Sequence, residues 1–238
     1  MELINPITFS SAMLTSTTAS ESVALWSAAT AYTALQYARL DTTHRIYQCI
    51  IGNTNASPDA NLTGASPKWI DAGATNAYAM FDEKWGTQTT AVSSLTVVLT
   101  PLVPIDSLAV LNMLGSTLVV SCTVAGSQIY TKTISLQTDV GVFDWKSYFL
   151  APIVAAVDKV ITDLFPYALQ VITLTISGPG AVAIGNVSMG ALVSLGRLWN
   201  SPTIGITDYS TKSVDTFGNV VVAIGTKPAP MCHSACTE

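Results

Sequence analysis

Charge is what this sequence has least of. Only 11% of its 238 residues are charged, while 49% are hydrophobic; an ordinary soluble domain carries roughly 25% charged residues. Its surface must rely on Ser, Thr, Asn and Gly for solubility, or be covered by other subunits, and coverage in an assembly is the expectation favoured here. Ten basic residues stand against fifteen acidic ones, for a net charge of −5. With a pI of about 4.8, nothing electrostatic recommends nucleic acid or an anionic membrane as a partner. Long apolar runs are missing as well, despite a mean hydropathy of +0.45. The most apolar stretch, 92–120, is interrupted by Pro101, Pro104, Asp106, Asn112 and Gly115, and the next, 149–165, by Asp158, Lys159 and Asp163. A spanning helix needs about 20 predominantly apolar residues, so no membrane insertion is expected. The opening Met1-Glu2-Leu3-Ile4-Asn5-Pro6 lacks the basic and apolar regions of a signal peptide, which implies a protein made and kept in the cytoplasm.

Catalytic signatures are absent too. The chain has no Gly-x-Ser-x-Gly, P-loop, His-Glu-x-x-His or Gly-x-Gly-x-x-Gly. Asp82-Glu83 could be offered as a glycosidase pair, but that chemistry sets two carboxyls about 5–9 Å apart across one bond, and a solvated turn after Phe81 is the better reading. His44 has no nucleophile near it in sequence and reads as a hydrogen-bonded residue. No enzyme activity, catalytic residue or cofactor is therefore expected. Of the four cysteines, Cys122 alternates with Leu118, Val120 and Val124 and reads as a buried thiol, as does Cys49 beside Ile50 and Ile51. Cys232-His233-Ser234-Ala235-Cys236 offers two thiolates and an imidazole, short of the four ligands of a structural zinc site. A metal, a redox or intersubunit disulfide and a flexible tail all remain open there, with no metal expected.

What the chain does have is alternation. Residues 94–100 alternate Leu95, Val97 and Leu99 with Thr96 and Thr100, residues 117–124 alternate likewise, and Ala125-Gly126-Ser127 turns the chain into 128–136. Residues 170–177 set Ile172, Leu174 and Ile176 against Val171, Thr173 and Thr175. Gly178-Pro179-Gly180 predicts a turn, and Gly185 and Gly190 predict bulges in the strand beyond it. Such strands, one face apolar and one Thr/Ser, indicate an all-β protein with a jelly-roll-like β-sandwich. Residues 151–165, with Ile153, Val157, Val160, Ile161 and Leu164 at helical spacing, predict either a short helix or a loop packed under the sheet. The expected division is a weakly patterned leader at 1–25, a small aromatic module at 26–75 with its densest part at 26–73, the sandwich at 76–200, and an extension at 201–238. In that extension, 204–209 and 214–224 have strand-like composition around a Phe217-Gly218-Asn219 turn, and pairing with a neighbouring subunit is expected.

Trp26, Thr30, Tyr32, Tyr37, Tyr47 and Trp69 crowd into the aromatic stretch. Trp26, Thr30, Tyr32, Tyr47 and Trp69 match in order and spacing the small chitin- and cellulose-binding module appended to bacterial chitinases and cellulases, which this segment resembles. Leu35-Gln36-Tyr37-Ala38 stands where that family has Gly-Asp, and Ile70 follows Trp69 where a second Trp often follows. The resemblance implies a carbohydrate-binding-like module in which Trp26, Tyr32, Tyr37, Tyr47 and Trp69 are candidate sugar contacts. A lone closing Trp in so small a unit is more often a core residue, the reading preferred for Trp26, Tyr32, Tyr47 and Trp69.

A second resemblance runs from about residue 26 to 222. Thr42-Thr43-His44-Arg45-Ile46-Tyr47, Trp69-Ile70-Asp71-Ala72-Gly73-Ala74-Thr75-Asn76, Ala79-Met80-Phe81-Asp82, Ile105-Asp106-Ser107-Leu108-Ala109, Val182-Ala183-Ile184-Gly185, Ile206-Thr207-Asp208-Tyr209-Ser210 and Asp215-Thr216-Phe217-Gly218-Asn219 are similar to a family of bacteriophage tail and baseplate-associated proteins. The closing Lys227-Pro228-Ala229-Pro230 departs from it. This likeness implies a structural virion protein of a tail or baseplate, in homo-oligomeric contact with other copies of itself and other tail proteins, with a fibre attachment point as one candidate place. A receptor-facing adhesin for host surface glycan and a cellular polysaccharide-binding protein are the alternatives.

Overall fold

A computed structural model describes residues 2–138, 144–150, 154–196, 211–214 and 220–223. The N-terminal half supplies β1 (Glu2–Pro6), β2 (Leu14–Thr17), β3 (Ala31–Tyr32), β4 (Tyr37–Leu40), β5 (Arg45–Cys49), β6 (Asn53–Thr54), β7 (Trp69–Ala74), a 3-10 helix at Asn76–Phe81, β8 (Thr89–Leu99) and β9 (Ser107–Leu114). The remainder supplies β10 (Thr117–Val124), β11 (Ser127–Ser135), β12 (Gln137–Thr138), helix α1 (Trp145–Leu150), β13 (Val154–Ala155), β14 (Lys159–Ile161), β15 (Val171–Ser194), β16 (Thr211–Val214) and β17 (Val220–Ala223). The protein is all-β, a small aromatic unit joined to a β-sandwich.

Alternation sets the register of the sandwich. Leu118, Val120 and Cys122 of β10 sit opposite Ile176, Leu174 and Ile172 of β15, whose other edge faces Leu95, Val97 and Leu99 of β8. All nine are fully buried. A one-residue slip would turn each of these rows to the outer face, where Thr96 and Thr175 now meet at 3.3 Å through their hydroxyls. The β10–β11 hairpin closes through Ala125 (φ 50°) and Gly126 (φ 82°) between the paired Val124 and Ser127. Positive φ at both loop positions is the requirement of a type I′ turn.

The turn predicted at Gly178-Pro179-Gly180 is instead a bend inside one continuous 24-residue strand. The register against β8 shifts between Ser177 and Ala181, where β8 answers with Ser93 at φ 64°. Both strands bend together and stay paired on either side of the bend; the first half of β15 also pairs β10, while the second half also pairs β9 and β1. Leu174 and Ile176 from the first half share one core with Ile184, Val187 and Met189 from the second, which makes the folded-over strands two layers. Gly185 and Gly190 are not bulges either. The β9–β15 register does not shift from Ala183 to Gly190, although Gly185 and Asn112 are not themselves paired, and each glycine sits where another chain segment comes too close for a β-carbon: the Asn112 side chain at Gly185 and the Asn5 carbonyl at Gly190.

Two further expectations change. Residues 2–6 and 14–17, read as leader, are strands: β1 pairs Gly190–Ser194 and β2 pairs the end of β8. The aromatic unit is thus set between β2 and β8, both strands of the sandwich. The signal was hidden because β1 and β2 are mostly exposed edge strands with little apolar alternation. Of the two readings of 151–165, a short helix or an apolar stretch packed under the sheet, the described part of the stretch holds no helix. Lys159–Ile161 pairs Val110–Leu108 as β14, and Ile161 and Leu164 enter the core, so their spacing served burial beneath β9. Among the described residues the α-helix lies just upstream, at α1.

In the small unit, β4, β5 and β7 form one three-stranded sheet and β3 pairs β6. Its own core comprises Tyr32, Ala38, Leu40, Tyr47, Cys49 and Trp69. A joint ties it to the sandwich. Glu21 accepts the backbone N–H groups of Asn76 (3.0 Å) and Ala77 (2.8 Å) at the start of the 3-10 helix, while Asn76 Nδ2 donates to the carbonyls of Ser20 and Thr90. β16 and β17 pair with each other. Cys232, His233 and Cys236 lie outside the described residues, as does most of the 201–238 extension expected to pair with a neighbour.

Candidate functional site

The five aromatic residues singled out from sequence do not converge on one ligand surface. Trp69 is fully buried, its indole N–H donates to the Ala56 carbonyl at 2.9 Å, and its ring meets Tyr32 edge to face at 5.1 Å. Tyr47 is 2% exposed, with its hydroxyl donating to Thr43 Oγ1 at 2.9 Å. The Tyr32 hydroxyl accepts the Ser27 N–H, and Trp26 packs half-buried against the same core. Stacking on a sugar needs a free flat face, which Tyr47 and Trp69 lack. Tyr37 alone stands out, 46% exposed on β4. His44 adopts φ 54° and stacks on Tyr78 of the 3-10 helix at 3.8 Å, where burial lowers its pKa; it belongs to the joint between the two units.

The sequence reading missed Trp85, and the structure places it at the mouth of a cleft. The loop begins with Asp82, whose Oδ1 accepts the Lys84 N–H at 2.9 Å and the Thr87 hydroxyl at 2.7 Å. That Asx-type turn, with Glu83 at φ 57°, projects Trp85 outward, 68% exposed. The loop is then tied to β9 at two points: Asn112 Nδ2 donates to the Trp85 carbonyl (3.4 Å), and Gln88 Nε2 donates to the Asn112 carbonyl (2.9 Å). Asn112 itself is held at φ 54° with its N–H on Asp158 Oδ1 at 2.8 Å. A β-carbon at Gly185 would lie 2.6 Å from the Asn112 β-carbon, so that glycine provides the seat for the Asn112 side chain.

Glu83, Lys84, Trp85, Leu111, Asn112, Gly185, Asn186 and Ser188 line a cleft of about 270 Å³. This lies just below the roughly 300–1,000 Å³ range of typical ligand pockets. Chemically it offers one large flat apolar ring, two amides and a hydroxyl able to donate and accept, and one charge of each sign. It offers one carboxylate, where glycoside hydrolysis takes two. Among the described residues no group of three or more His, Cys, Asp and Glu could hold a metal ion, and no helix is long and apolar enough to cross a membrane. Cys49 and Cys122 are buried free thiols with pKa raised by burial, as their strand positions implied.

No protein-family model matches this chain, and no curated protein matches it either. Among solved structures, chitosan-binding module 1 of a chitosanase/glucanase from Paenibacillus sp. IK-5 aligns over 48% of this chain and 83% of its own, at 8% identity and a TM-score of 0.31. A selenomethionine-labelled mutant of that module aligns equally, at 9% identity. The F5/8 type C domain of a Bacteroides fragilis protein aligns over 64% of this chain and 95% of its own, at 8% identity and a TM-score of 0.31. Likeness this slight transfers no ligand; the sandwich class rests on the strand pairing above.

Proposed function

We propose that this is a non-catalytic glycan-binding protein whose binding site is the Trp85 cleft. The observation that carries the proposal is an indole 68% exposed on a loop pinned by hydrogen bonds, beside Asn112, Asn186 and Ser188. A singly exposed apolar residue is ordinary; what sets Trp85 apart is that its loop is pinned to β9 and that amides and a hydroxyl lie beside it. A sugar ring suits the combination, with its apolar C–H face on the indole and its hydroxyls on the amides. This reading favours the polysaccharide-binding alternative and moves the contact surface away from the module's aromatics. Affinity electrophoresis against a panel of neutral polysaccharides tests it. The wild type is expected to be retarded by at least one of them, and Trp85→Ala to run free with an unchanged melting temperature. Tyr37→Ala serves as the control that keeps binding. An unretarded wild type, or a Trp85→Ala protein retarded as before, overturns the proposal.

A place in a phage tail or baseplate is a second reading. Besides the sequence resemblances, one surface favours it. Leu102, Val103, Phe165, Tyr167 and Leu169 are 47–81% exposed on two loops joined by the Leu164 N–H to the Asp106 carbonyl and by Gln170 Nε2 to the Ile105 carbonyl. A neighbouring subunit would cover them. Mass spectrometry of purified virions decides this reading, and absence of the chain ends it.

A further inference from the structure

Resting on that reading, we propose that the cleft takes a single neutral pyranose unit, at a chain end or a branch, and does not follow a polysaccharide along its length. Size is the first argument. A cleft of about 270 Å³, just below the usual range of ligand pockets, is of a size for one sugar ring with its hydroxyls rather than a run of them. Ring count is the second. Binding along a chain places an aromatic platform under successive sugars, and Trp85 is the sole aromatic side chain lining the cleft. Of the other exposed aromatics, Tyr37 stands on the separate sheet of the small unit, Trp145 and Phe149 belong to α1, and Phe165 and Tyr167 belong to the loop that packs against residues 105–106; none of them lines the cleft.

Charge is the third argument. Glu83 and Lys84 both line the cleft, so a uronic acid or an amino sugar would meet one like charge along with its opposite, and the lining carries no net charge to favour either over a neutral sugar. Selectivity then falls to Asn112, Asn186 and Ser188, which can donate and accept toward hydroxyls. Asn112 is the positioned member of the three. Its backbone N–H is fixed by Asp158, its Nδ2 by the Trp85 carbonyl, and its seat depends on the missing side chain at Gly185. Gly185 therefore acts as a positioning residue for the site.

Isothermal titration of the full chain tests this. The probes are methyl glycosides of neutral hexoses and, for the best of them, the linear oligosaccharides from disaccharide to hexasaccharide, from about 0.05 to about 0.5 M salt. The expected result is a Kd per chain end that stays within about twofold along the series and does not move with salt. Asn186→Ala is expected to weaken the monosaccharide by at least about tenfold. Gly185→Ala should weaken it while a melting curve reports whether the sandwich survives; Asn186→Ala and Ser188→Ala keep the test open if it does not. Affinity that climbs with every added sugar overturns the single-unit inference and leaves glycan binding standing. Binding of charged sugars only, weakened by salt, overturns neutrality. Failure of the wild type to bind any sugar, short or long, removes the underlying reading as well.

Discussion

Replacing Trp69 with alanine removes the largest fully buried side chain among the described residues. Trp→Ala in a core costs about 3–5 kcal/mol through lost transfer energy and the cavity left behind. Two local contacts place this site toward the upper end. The edge-to-face pair with Tyr32 at 5.1 Å adds about 0.5–1.5 kcal/mol beyond area. The Ala56 carbonyl loses the indole N–H that satisfies it in a buried setting, worth about 1 kcal/mol. The small unit has a six-residue core in which Trp69 and Tyr47 supply most of the bulk, so a loss near 4–5 kcal/mol should open it locally. Hydrogen exchange of β4, β5 and β7 in Trp69→Ala should then approach the unfolded rate, while β10 and the first half of β15 stay protected. Trp69→Phe keeps much of the volume, loses the hydrogen bond, and should fall between the two. Sugar binding at Trp85, measured well below the melting temperature, should survive. If Trp69→Ala melts and exchanges like the wild type, the core assignment is wrong. If it also loses sugar binding, the aromatic module is the glycan site and the Trp85 assignment falls with it.

Other perturbations have equally direct readouts. Lys132 and the Tyr130 hydroxyl hold Asp163 below the ordinary carboxylate range, Lys132 foremost; a depressed folded pKa means the stabilisation is present above the unfolded value near about 3.9 and disappears as pH falls through the folded one. Because Asp163 is half exposed, Asp163→Asn should cost only about 0.2–1 kcal/mol at neutral pH, a gap that closes in acid; a gap unchanged down to the acid limit refutes the pairing. The Cys49 and Cys122 thiols are buried with raised pKa, so iodoacetamide at neutral pH should label them only on unfolding, as peptide mass spectrometry would read. Fast native-state labelling of either contradicts its placement. Gly190→Ala drives a β-carbon into the Asn5 backbone and should release β1, at about 1–3 kcal/mol; unchanged exchange protection at residues 2–6 would show that β1 is not held as described.

Strands were legible where one face is buried and the other polar. β10 and the first half of β15 declare themselves as strands because Leu118, Val120 and Cys122, like Ile172, Leu174 and Ile176, alternate with mainly polar residues, although alternation does not say that the two rows meet. Edges were not legible. Glu2–Pro6 carries no alternation to read, since a strand half-paired at a rim needs only backbone hydrogen bonds and a glycine opposite it. The bend at 178–180 was misread for a related reason: Gly-Pro-Gly announces a departure from regular backbone but does not say whether the chain reverses or crosses to the other layer. The answer lies in Ser93, the strained residue of the partner strand. No single segment contains both halves of that information.

The site was hidden by the same nonlocality, though not without trace. Trp85 gains its meaning from Asn112, Gly185 and Asn186, and these meet only because β9 and β15 pair Met113 with Ile184 and Leu111 with Asn186. From sequence, attention goes to the stretch densest in aromatics, but a small domain must spend its large rings on making a core at all, and Trp69 and Tyr47 are spent that way. The informative aromatic is the one whose neighbours forbid burial. In Asp82-Glu83-Lys84-Trp85-Gly86-Thr87 the indole is flanked by charges and a glycine, outside any alternation, so it has no inward face to occupy. A tryptophan in that setting has no core position to fill, so its loop, fixed by the Asx turn at Asp82, is where a contact outside the chain is to be tested first.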